Sequence, residues 1–280
     1  MLHKEVSKGN GFLTCENYIA NKDISIITNF FEIAAKLKIS ILVIDDLNIK
    51  ERDSILNDIS HESYPLFSSK LVYENIKAQE HILEILRDEY KKFIQSNNLT
   101  KSLLVSRKTL KENSVDKIKK QLGNIRHQYE VISLLSDNKN TMKWAANERR
   151  IDYITIEILE NSELVDSSLC SVVKQNNKAF EVVLFPLIDV KNERELSEIL
   201  RKGKKLMDLI RSGNAPYIFT MKPKIPLDLR TGSQMRLLGN LFGVSYNKTK
   251  SCVFDKQLEV LINNTIKLHE THIFEGVKEV

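Results

Sequence analysis

The run that most constrains this chain spans residues 126–159, RHQYEVISLLSDNKNTMKWAANERRIDYITIEIL. Residues 129–135 (YEVISLL) are apolar and rich in β-branched side chains, as a buried strand requires. Residues 137–140 (DNKN) carry turn chemistry and offer helix N-caps. Residues 141–150 predict a short helix with Met142, Ala145 and Ala146 on one face, and residues 151–158 (IDYITIEI) read as a second strand. Strand, short helix and strand joined by tight loops make a βαβ unit, which demands a parallel sheet covered by helices.

The same alternation extends along the chain. Strand starts fall near residues 102, 129, 152, 180, 215 and 243, about 23 to 35 residues apart, which suits repeated βα units. Two weaker strands, within 11–20 and at 40–44 (SILVI), bring the total to about eight. Helices are predicted over 25–37, 74–95, from Ser114, and over 162–175, 193–211, 226–241 and 252–269. The spacing predicts an α/β fold of the (β/α)8, TIM-barrel-like type. It forms one domain over 1–280, with an irregular first half and a divergent or inserted segment near 47–100. An open doubly wound sheet is the alternative, but no GxGxxG follows any strand.

Net charge is +5 with pI near 8.9, which permits a polyanionic partner without requiring one. Cys15, Cys170 and Cys252 form no CxxC pair, so neither a disulfide framework nor a zinc knuckle is indicated. No signal peptide or membrane span is visible, and a reducing, cytoplasmic compartment is the simplest home.

In a barrel, chemistry sits just after the strands. The carboxylates there include Asp45, Asp46 and Glu157, which could hold Mg²⁺ in a metal-dependent phosphoesterase, or could simply cap helices. The histidines form no HxH or HExxH pair, and no GxSxG or P-loop is present. Trp144 reads as a packing residue. Cations are better represented. Arg107 follows the strand 102–106, Lys139 follows the strand 129–135, and Arg149 and Arg150 end the short helix. Lys222 and Arg230 lie in the loop after the strand NAPYIFT, which runs into a helix N-terminus. Cations on one rim (Arg107, Lys139, Lys222 and Arg230) without a catalytic acid–base set suit phosphate-backbone binding, although a sugar-phosphate enzyme would place cations there too. Arg149 and Arg150 are further phosphate-binding candidates, or anchors of the turn into the next strand.

Three blocks, read together, resemble one family. They are residues 106–110 (SRKTL), the run IRHQYEVISLLSDNKNTMKWAANERRIDYITI, and residues 180–244 with their LRTGSQM segment. Their order and spacing resemble ribonuclease P protein component 3, the 30-kDa subunit of the archaeal and eukaryotic enzyme. Gly232 stands where that family usually has proline, and Met221, Lys222 and Pro223 replace its serine-glycine-alanine run. The resemblance implies a barrel related to polymerase-and-histidinol-phosphatase domains but lacking their metal-binding histidines. It implies no catalytic residue and no cofactor in the protein. The RNA subunit would carry the catalytic site and its Mg²⁺, and the complex would remove the 5′ leader of precursor tRNA. The implied partners are ribonuclease P RNA, precursor tRNA, protein component 2 and other protein subunits, with no membrane.

Overall fold

A computed structural model describes residues 15–39, 41–58, 103–246, 248–253, 255–268, 272–274 and 277–278. Five elements open the chain: β1 (Cys15–Ile19), α1 (Ile24–Leu37), β2 (Ile41–Asp45), α2 (Ile49–Asp58) and β3 (Leu103–Lys111). A regular alternation follows: α3 (Val115–Ile125), β4 (Val131–Leu135), α4 (Lys139–Asn147), β5 (Tyr153–Glu157), α5 (Ser167–Gln175), β6 (Ala179–Val183), α6 (Glu193–Ser212) and β7 (Tyr217–Thr220). Then come α7 (Gly232–Leu241), α8 (Thr249–Cys252), α9 (Asp255–Lys267) and a hairpin of β8 (His272–Phe274) with β9 (Val277–Lys278). The helix expected over 74–95 lies outside the described residues.

The helices start where the sequence supplies caps. Asn138 accepts from the Asn140 and Thr141 amides, Asp166 from Leu169, and Asn192 from Glu195. Thr231 and Gln234 form a capping box at the start of α7. This cap delays the helix expected over 226–241, whose first turn is a separate 3-10 turn at Pro226–Asp228.

Strands β1 to β7 form one sheet in sequential order, every pair parallel. The sheet curls into a nearly closed, TIM-barrel-like wheel with helices outside. Residues 243–246, expected as an eighth strand, form none. Gly243 takes a positive φ of 78°, and the Tyr246 carbonyl is consumed by Arg236 and Thr249 rather than by a ladder. The gap between β7 and β1 is closed by other means. The Glu16 carboxylate accepts from the Met221 amide and the Thr220 hydroxyl. The Ala20 amide donates to the Pro223 carbonyl at 3.0 Å, the Cys15 amide to Val253, and Gln257 Nε2 to the Phe219 carbonyl. These bonds link the two sheet edges without a strand between them.

The outward faces of the strands bury Ile132, Leu134, Ile154, Ile156, Phe180, Val182 and Phe219 under Met142, Ala145, Leu169, Ile199 and Met207 of the helices. Each such side chain contributes about 1.5–3 kcal/mol relative to exposure. Gly203 lets Phe242 lie against α6, since a Cβ there would meet the ring at 2.3 Å.

Candidate nucleic-acid interface

Strand alternation sorts the inward side chains into layers. The lowest is apolar and includes Val131, Tyr153, Ala179 and Ile218, all buried. Above it lies a polar layer of Arg107, Ser133, Thr155 and Glu181, each with no solvent exposure. Arg107 donates from Nη1 and Nη2 to the two Glu181 carboxylate oxygens at 2.6 Å each, a bidentate pair. It also donates to Ser133 Oγ at 2.7 Å and Thr109 Oγ1 at 3.1 Å, and its guanidinium lies 4.0 Å from the Tyr18 ring centre. Thr155 donates to Glu181 Oε2 at 2.7 Å. Burial opposes the Arg107 charge, but Glu181, and then Asp45 at 3.9 Å, raise its pKa above the ordinary arginine range.

Arg107 therefore cannot meet a phosphate, contrary to the expectation that it follows a strand on the rim. It sits in the middle of β3, which runs to Lys111 rather than stopping at 106. Arg107 and Thr109 remain in the strand because the barrel interior at that level is itself polar, while Lys108, between them, is partly exposed and pairs with Asp46.

The mouth is also self-neutralised. Lys222, in the left-handed region at φ 55°, pairs with Glu157, and its Nζ lies 5.2 Å from the Tyr18 ring centre. Asp46 pairs with Lys108 and, at 3.6 Å, with Lys22. Burial would raise the Asp46 pKa, but Lys108 and then Lys22 bring it below its ordinary value. Asp45 accepts the Thr109 amide at 2.7 Å. Burial and then the neighbouring Glu157 push the Glu160 carboxyl up. The proposed set of Asp45, Asp46 and Glu157 thus does not fit a metal ion, because lysines, Arg107 and a backbone amide already occupy those carboxylates. Among the described residues no three His, Cys, Asp or Glu side chains are placed to hold one.

The remaining candidates do not share one rim. Lys139 begins α4 at the C-terminal end of the barrel, 2.6 Å from Asp166. Arg230 lies at the same end and donates to the Leu227 and Leu229 carbonyls at 2.8 and 2.9 Å. Arg149 and Arg150 follow α4 at the opposite, N-terminal end. Arg149 is exposed, whereas Arg150 donates to Glu148 at 2.9 Å. The short α4 carries the chain from one end of the barrel to the other, so its two termini cannot lie on a common rim.

Between those ends runs a basic flank. Helices α3, α4 and α5 carry three, two and one lysines against the single acid Asp116. Lys119, Lys120, Lys143 and Lys174 have no ion pair among the described residues. Lys119 Nζ lies 5.8 Å from the Trp144 ring centre, and Trp144 packs half-buried against the core.

Sequence reasoning passed over three buried groups. Glu181 is a lone carboxylate in an otherwise apolar strand run, and that isolation is its signal, whereas Glu16 sits beside polar Asn17 and carries none. Burial pushes the Glu16 carboxyl up to about 7, despite hydrogen bonds from Thr220, Met221 and Tyr18 that favour its charge. The third is Glu130, which pairs with Arg52 and accepts the Ser106 amide at 2.8 Å.

Fold and interior together define a TIM-barrel-like protein whose mouth carries internal ion pairs and whose α3–α5 flank carries lysines without an ion pair among the described residues. A family model described as RNase P subunit p30 matches residues 44–269, and the chain belongs to that family of ribonuclease P protein subunits. A chain in the cryo-EM structure of archaeal Ribonuclease P with mature tRNA superposes with TM-score 0.64 at 13% identity, covering 94% of this chain and 97% of that one. The crystal structure of an uncharacterized protein superposes with TM-score 0.53 at 7% identity, covering 90% and 74%. Among curated proteins no sequence matches.

Proposed function

We propose that this subunit supports the catalytic RNA of ribonuclease P in removing the 5′ leader of precursor tRNA. It binds RNA phosphates through the α3–α5 flank and leaves bond cleavage, with its Mg²⁺, to the RNA. The observation that carries this reading is the contrast between paired and unpaired charge. Asp46 and Glu157 at the mouth, where a barrel enzyme does its chemistry, are engaged by lysines, while four flank lysines have no carboxylate ion pair among the described residues. Exposed Arg149 extends the flank just past the C-terminus of α4, whereas Lys139 and Arg150 are paired with Asp166 and Glu148. Lys222 is held by Glu157, and Arg230 lies in the loop between β7 and α7, outside the α3–α5 flank, so neither belongs to the RNA face. A small protein subunit, component 2, is the expected partner within the complex.

Salt titration of RNA binding tests the reading. Replacing Lys119, Lys120 and Lys143 together by Ala should weaken binding to ribonuclease P RNA and lower the slope of log K against log salt by about 2–3. An unchanged affinity and slope would remove the RNA from this flank. Efficient cleavage of precursor tRNA by the RNA-free protein would remove the division of labour.

A further inference from the structure

All four large apolar side chains exposed among the described residues lie in a stretch of 17 positions: Ile225, Leu227, Leu237 and Leu241. Leu227 is 74% exposed, more than any core residue of the barrel would tolerate. Leu237 and Leu241 stand at i and i+4 on α7 and therefore on one helix face. Gln234 and Asn240 are the other exposed residues of that helix, so its outer surface carries no charge. Its one charged residue, Arg236, is turned inward, donating to the Tyr246 carbonyl at 2.7 and 3.0 Å with its guanidinium 3.4 Å from the Tyr246 ring centre. Depletion of charge with clustered large apolar groups is the mark of a protein–protein contact rather than of a surface left to water.

The surrounding charge selects the occupant. Residues 221–254 contain one acid, Asp228, against six lysines and arginines. Asp228 is spent inside its own turn, accepting the Lys224 and Ile225 amides. Exposed Lys224 and half-buried Arg230 lie at the upper end of the strip, and exposed Lys248 follows its lower end. A second copy of this chain would bring cations against cations. A nucleic acid would use the cations and leave the leucines in water. A protein with apolar side chains ringed by carboxylates matches both features. We propose that the α7 face and the turn above it dock such an acidic-rimmed protein subunit of the same ribonucleoprotein. The choice of complex rests on the ribonuclease P reading, whereas the surface rests on the exposed leucines.

The test mixes the full-length chain singly with each other purified protein subunit of its own ribonuclease P. Sedimentation measures binding, and hydrogen exchange follows residues 232–241. One subunit should bind and slow exchange in α7. Leu237→Glu with Leu241→Glu should weaken that complex about 100-fold, and the milder Leu237→Ser with Leu241→Ser about tenfold. Lys224→Glu with Arg230→Glu should weaken it about tenfold and flatten its salt dependence. All these side chains are wholly or partly exposed, and an unchanged thermal melt verifies the fold. Binding to ribonuclease P RNA should be unaltered in every variant. The proposal is overturned if no subunit binds, or if one binds the glutamate variant as well as the wild type. Self-association of the wild-type chain through α7, or protection of α7 by RNA alone, also overturns it. Loss of RNA binding by the wild type with docking retained would instead sink the flank assignment and leave this surface standing.

Discussion

Arginine and lysine serve opposite ends in two regions of this molecule. Inside the barrel, Arg107 and Lys222 each face a carboxylate, Glu181 or Glu157, and are held by it. On the α3–α5 flank, Lys119, Lys120, Lys143 and Lys174 have no such partner among the described residues. An interior cation must be neutralised where it stands, because an unpaired buried charge costs several kcal/mol. A surface cation is solvated and remains available to a polyanion. The chain's modest net charge of +5 conceals this division, since it averages paired and free charge together.

Removing one interior partner should have the largest effect. Arg107→Ala or Glu181→Ala should lower the unfolding free energy in urea by about 3–5 kcal/mol, and replacing both by Met and Leu should recover most of it. A loss below about 1 kcal/mol for the single variants would mean that water reaches the pair. Glu16 gives the next test. Its folded pKa of about 7 lies above the ordinary 4.5, so the folded state binds the proton more tightly. The associated stability is full below pH 4.5 and is lost as pH rises through 7. Urea melts at pH 5 and pH 8 should therefore show wild type losing on the order of 3 kcal/mol relative to Glu16→Gln. Lys222→Met comes third, because it leaves Glu157 without its partner at a half-buried mouth. It should cost about 1–2 kcal/mol, partly recovered by adding Glu157→Gln. The flank lysines should be nearly silent in the same assay. Replacing Lys119, Lys120 and Lys143 by Ala should shift stability by less than about 0.5 kcal/mol while weakening RNA binding. A large destabilisation there would erase the contrast between the two regions.

Much of the architecture was legible before any coordinates. The unit over 126–159 reads correctly as strand, helix and strand, with Met142, Ala145 and Ala146 buried as expected. Residues 243–246 misled because GVSY has strand composition, yet Arg236 and Thr249 claim the carbonyl that a ladder would need. The site was less legible. A polar RKT run reads as a strand end and so places Arg107 on a rim, whereas the polar interior around Arg107 and Thr109 lets the strand continue to Lys111. The βαβ reading of 126–159 already implies that Lys139 and Arg150 lie at opposite ends of one helix, and the structure places them so.

Local periodicity by itself determined the alternation of strands and helices, the parallel sheet and the apolar faces between them, since those depend on neighbours a few residues away. Tertiary structure alone decided the fate of each charge. Arg107 and Glu181 stand 74 residues apart, and nothing nearby announces their bond. Curling the sheet brings them together, and the low dielectric within makes their pairing obligatory. The same closure turns Glu16 into the clasp between the first and last strands of the barrel, and leaves the leucines of α7 facing outward.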